Sequence, residues 1–96
     1  MSSDDAFPPY RPPDWSPLER ALTTVFGAAA ADASAAFWFV GFAGGPVDVG
    51  ALRLYEHSAT RRMLVLDAQG GAYHWMESVC AYVRIDDEEA LVQTLV

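Results

Sequence analysis

The sequence predicts an α+β fold, an antiparallel four- to five-stranded meander sheet packed on an N-terminal helix and a short C-terminal helix. Three observations lead to it. Residues 37–85 divide into short apolar or alternating runs separated by Gly, Pro, Asp and Ser, and they hold Trp38 and Trp75 of the three tryptophans. Residues 18–31 before them and 87–96 after them carry apolar side chains at helical spacing. The links between the runs are too short for parallel crossovers, so consecutive strands pair antiparallel.

The elements follow in order. Residues 1–15 read as a tail in front of a single domain over residues 16–96. In the tail Phe7, Tyr10 and Trp15 alternate with Pro8, Pro9, Pro12 and Pro13, a composition that favours polyproline II and loses little entropy on docking. The aromatics are expected to pack either on the chain's own domain or on a partner. Ser16-Pro17-Leu18-Glu19 has the form of a capping box, with Ser16 at the N-cap and proline where its missing N–H costs nothing. Leu18, Ala21, Leu22, Val25, Phe26 and Ala29 then form one stripe, and the helix is expected to pass Gly27 and continue to Ala31.

Residues 36–43 are bulky and apolar on both alternating faces. That is the pattern of a strand covered on both sides, and it predicts a central position in the sheet. Residues 49–57 alternate, with Leu52 and Leu54 on one face and Arg53, Tyr55 and His57 on the other. A turn at residues 58–60 leads to a strand at 62–66. Asp67-Ala68-Gln69-Gly70-Gly71 is hairpin chemistry with a left-handed glycine. Residues 72–76 form a further strand, and residues 79–85 another or its continuation. Asp86 and Glu89 make a second capping box, and Ala90, Leu91, Leu95 and Val92 would line the inner face of the last helix.

Composition narrows the function. A chain of 96 residues and 10.5 kDa is one domain. On folding it should bury about two thirds of its surface, enough for one modest core. The formal charge of −7 and pI near 4.4 argue against nucleic acid, whose binding rests on cations meeting phosphates, and against anionic membranes. All six cations are arginine. With the alanine excess, this is the composition a GC-rich bacterial genome encodes. Cys80 is the single cysteine, so no intrachain disulfide forms. The opening MSSDDAF lacks the basic and apolar regions of a secretory signal, and the expected compartment is the cytoplasm.

Three constellations bear on chemistry. Arg53, Tyr55 and His57 share a strand face, one of Arg61 and Arg62 should join them, and Arg84 lies on the last strand. Such a face could hold a carboxylate or phosphate through bidentate guanidinium contacts. The competing account is cross-strand pairing with Asp48, Glu56, Asp67 and Glu77. Cys80 with His74 or His57 could make an activated thiolate, yet no third residue orients the pair and a lone cysteine more often packs as a small hydrophobe. Glu56, His57 and His74 match no zinc spacing, and no glycine-rich phosphate loop or nucleophile elbow is present. No cofactor, metal or catalytic residue is therefore expected. The leading expectation is a small acidic, non-catalytic protein-binding module of inhibitor or immunity type, with a protein partner or self-association. The partner-binding candidates are Arg53, Tyr55, His57, Arg61, Arg62, Phe7, Tyr10 and Trp15. An anion-binding domain built on the arginine face comes second, and an enzyme with an unrecognised site third.

Overall fold

The structure, a computed structural model, describes residues 13–46 and 48–95. Helix α1 (Ser16–Phe26), a 3₁₀ turn (Gly27–Ala29) and α2 (Ala30–Ser34) come first. Five strands follow: β1 (Phe37–Gly44), β2 (Ala51–His57), β3 (Met63–Leu66), β4 (Ala72–Met76) and β5 (Ala81–Arg84). A 3₁₀ turn (Glu77–Val79) joins the last two, and α3 (Asp87–Leu95) closes the chain. The sheet is an antiparallel meander in the order β1-β2-β3-β4-β5. This is the α+β architecture expected from the sequence, with all helices on one sheet face. No helix among the described residues is long and apolar enough to cross a membrane.

The core lies between that face and the helices. Leu18, Ala21 and Leu22 of α1, Ala30 of α2 and Ala90 and Leu91 of α3 pack on Phe37, Tyr55, Leu64, Leu66 and Ala72. At about 25 cal/mol per Å² of apolar surface removed from water, this contact is what holds the helical layer on the sheet. Val25 and Phe26, expected in the stripe, are 40% and 37% exposed, because α1 ends beside them.

The start of α1 differs from expectation. Trp15 already has helical dihedrals (φ −92°, ψ −11°) and the helix has no side-chain cap bond, so Ser16 sits inside the first turn and not at its cap. The Ser16 amide donates instead to the Asp14 carboxylate (3.3 Å), and the Glu19 amide donates to the Trp15 carbonyl (3.0 Å). Nor does α1 run on to Ala31. Gly27 takes φ +58°, ψ −122°, a conformation that costs glycine least, and the chain turns there before it becomes helical again.

At the other terminus Asp86 does cap α3, accepting from the Glu89 amide (3.0 Å). The Glu89 side chain accepts instead from Gln93 Nε2 (3.3 Å), so that box is half formed. Val92 faces solvent (55% exposed) and Thr94 takes the buried place, with its hydroxyl donating to the Ala90 carbonyl (2.8 Å).

β1 is an edge strand, which corrects the central position its sequence implies. In a meander the first strand has one neighbour, whatever its composition. Val40 is the extra residue of a bulge, since Phe39 pairs with Tyr55 and Gly41 with Leu54. β3 is the true central strand, and it is buried at Leu64, Val65 and Leu66.

Candidate functional site

The two faces of the sheet separate the residues singled out by sequence. On the helix-covered face Arg53 is held in place. Its Nε donates to Asp14 Oδ2 at 2.9 Å, its Nη1 donates to the Ala51 carbonyl, and its guanidinium lies 5.5 Å from the Phe42 ring centre. The arginine side chain is 16% exposed. Tyr55 is fully buried and donates its hydroxyl to the Asp14 carbonyl. Burial, helped by the Asp14 charge, pushes its pKa well above the ordinary tyrosine range. Trp15 packs on Phe39 and Tyr55, with ring centres 6.1 and 5.9 Å apart. Residues 14 and 15 are thus fastened to the domain, while Phe7 and Tyr10 lie outside the described residues.

His57 caps the β2–β3 turn. Its Nδ1 accepts from the amides of Ala59 and Thr60 (3.2 Å each), and its ring meets Phe37 edge-on at 5.0 Å. Arg61 lies on the opposite sheet face, paired with Glu56 (3.3 Å) and stacked over Trp38 (5.4 Å). Arg84 pairs with Asp87 (2.8 Å). Arg62 is exposed and makes no side-chain ion pair among the described residues. The arginines therefore do not converge on one face. Three of them meet carboxylates, of which only Glu56 belongs to the cross-strand set read from the sequence.

The other chemical constellations are also dispersed. His74 stands opposite Val83, while exposed Cys80 occupies the tip of the β4–β5 hairpin in a left-handed conformation (φ +50°), with Sγ near the Glu77 carbonyl (3.4 Å). No group of three His, Cys, Asp or Glu side chains among the described residues could hold a metal ion. A cleft of about 620 Å³ opens between α1, the β3–β4 turn and the start of α3. Most of its charged side chains are engaged within the fold. Arg20 donates to Gln69 (3.2 Å), Asp87 accepts from both Arg84 and the Ala72 amide, and Asp67 Oδ1 accepts from the amides of Gln69 and Gly71.

What the structure brings together, and sequence reading missed, is the uncovered face. Trp38, Glu56 and Met63 are in register across β1, β2 and β3. Trp75 and Tyr82 are in register across β4 and β5, with ring centres 5.1 Å apart. Val65 pairs with Tyr73 on this face, and two residues further along each strand the same alternation puts Met63 and Trp75 on it. One transverse row thus runs Trp38, Glu56, Met63, Trp75, Tyr82. Trp38 is 55%, Met63 44% and Trp75 46% exposed.

Behind the row Leu52, Val65 and Tyr73 form a small buried cluster supported by Val49, Leu54 and Tyr82. The turn carrying Gly45 and Gly50 closes over Leu52, with the Gly45 amide donating to the Gly50 carbonyl (3.1 Å). Among the described residues no such cover reaches the row at the other end of the strands. The β3–β4 ladder ends at Tyr73, and every residue from His74 to Ala81 is exposed. The distal β4–β5 hairpin, with Trp75, Met76 and Val79, therefore stands clear of the helical layer. The sequence carries the signal as a β1 apolar on both faces, a pattern that does not distinguish cover by the same chain from cover by another surface.

No protein-family model, curated protein or solved structure matches this chain.

Proposed function

We propose that the protein is a non-catalytic docking module that binds protein through the uncovered sheet face. One observation carries this reading. The first strand has the residue pattern of a strand covered on both sides, yet Trp38, in the row with Met63, and the bulge residue Val40 are 55% and 52% exposed. Half-exposed tryptophans and methionine in one row, with its single carboxylate neutralised by Arg61, have the composition of an interface centre. The anion-binding alternative has less to draw on, because Arg53, Arg61 and Arg84 are each engaged with a carboxylate of the chain itself.

The test is site-specific photo-crosslinking in the native host, with a benzophenone side chain at Met63 and, as control, at exposed Thr23 on α1. Protein adducts should form from position 63 and not from position 23. Equal labelling at both, or none at position 63, refutes the reading.

A further inference from the structure

We infer that the occupant of the uncovered face is a second copy of this chain, in a two-fold dimer whose axis runs parallel to β3 beside Met63. This rests on the docking reading above and names its partner. The first argument is symmetry. Neighbouring strands lie about 4.8 Å apart where they pair, and β1 and β5 each stand two strands from β3 in the sheet order. Rotation about β3 carries Trp38 of one chain toward Tyr82 of the other, and Glu56 with its Arg61 partner toward Trp75, while Met63 meets Met63. A self-complementary patch of this kind is what an isologous interface requires. Methionine at the axis suits it, because an unbranched thioether adapts to its own image.

The second argument is charge. Each chain carries −7, and two copies repel unless they meet where the surface is neutral. The helical layer is acidic, with Glu19, Asp32 and the run Asp86, Asp87, Glu88, Glu89 at the start of α3. On the row the one carboxylate, Glu56, is paired with Arg61. A basic partner would find no free anion there, whereas a second copy meets no net charge. The third argument is size. Half-exposed Trp38, Met63 and Trp75 with the flanking Tyr82, Leu54 and Arg61 offer on the order of 600 Å² per chain, near the lower bound for a specific interface.

Sedimentation velocity of the full chain from about 1 to about 200 µM tests this. The expected result is a reversible dimer that tightens as salt is raised, because screening relieves the −7 against −7 repulsion. Met63→Lys and Met63→Glu should each weaken it at least ~100-fold by setting like charges against each other at the axis. An equimolar mixture of the two variants should recover it. In a Cys80→Ser background, Met63→Cys should form a disulfide-linked dimer under mild oxidation, which decides the matter should the charged variants fail to fold.

A wild-type chain that stays monomeric throughout, a dimer untouched by both charge variants, or no crosslink from Met63→Cys overturns the inference. If the chain is monomeric but photo-crosslinks to another protein from position 63, docking stands and the named occupant is wrong. If it is monomeric and no adduct forms, both fall.

Discussion

Removing the Asp14 carboxylate should loosen the N-terminal end of the helical layer, and the amount can be worked from its contacts. The carboxylate accepts from Arg53 Nε at 2.9 Å and from the Ser16 amide at 3.3 Å. A hydrogen bond to a charged group contributes about 1.5–3 kcal/mol, and partial exposure of the pair (16% and 31%) places this one near the lower end. The bond to the first-turn amide adds about 1 kcal/mol by analogy with an N-cap. Asp14→Ala should therefore cost about 2.5 kcal/mol. Arg53→Ala should cost about 2 kcal/mol, through the same pair and the lost packing of its stem beside Phe42. The two share one interaction, so a double-mutant cycle should return a coupling of about 1–1.5 kcal/mol. Urea denaturation followed by far-ultraviolet circular dichroism measures all four corners. A coupling below about 0.3 kcal/mol would show that Arg53 is not committed to Asp14 and would restore it as a candidate anion ligand.

Further outcomes follow from the same geometry. Ser16→Ala should change stability by less than about 0.5 kcal/mol in the same assay, because its hydroxyl makes no cap bond. Trp38→Ala, measured at the lowest workable concentration, should cost under about 1 kcal/mol beside about 2–5 kcal/mol for Leu22→Ala, since Trp38 is half exposed and Leu22 fully buried. A Cβ at Gly45 would lie 2.6 Å from the Gly50 carbonyl oxygen and 2.8 Å from Leu52, so Gly45→Ala should cost about 1–3 kcal/mol, read as a lowered denaturation midpoint. Tyr55 and Tyr73 are both held above the ordinary tyrosine pKa of 10.0. Folding thus disfavours their phenolates, and stability present below pH 10 should fall as pH rises beyond it. Tyr55→Phe should flatten that fall in a pH series of denaturation midpoints.

Much of the fold was legible because local chemistry and topology agree. The stripe from Leu18 to Leu22, the Asp67–Gly71 turn with Gly70 at φ +91°, and the Asp86 cap each form as their residues dictate. The failures have a common cause. At Ser16 a carboxylate two residues upstream competed for the same amide, and at Gly27 the backbone used a freedom that a stripe pattern ignores. At β1 the count of apolar residues per face was right, but nothing in one chain's periodicity says which layer covers a face. Arg53, Tyr55 and His57 share one face of β2 as alternation indicates, but Arg61 lies on the other face, and Asp14 as the partner of Arg53 was invisible, 39 residues away in sequence.

The covered and uncovered faces answer one question about this chain. The helices among the described residues are short: 11 residues in α1, 5 in α2 and 9 in α3. At about 1.5 Å per residue they reach roughly 17, 8 and 14 Å. That is enough to roof one face of a five-stranded sheet and no more. A chain of this length could have balanced its inventory by making the second face polar, the usual solution for an antiparallel sheet. Here it carries Leu52, Leu54, Val65, Tyr73, Trp75 and Tyr82, with Trp38 and Met63 at the uncovered end. The turn over Leu52 seals one end of that face and leaves the other apolar, level across the strands and free of net charge. Large aromatic side chains in such a row keep a hydration cost that only contact with another surface removes. The geometry of the row, more than any titratable group in the molecule, is therefore where function should be sought.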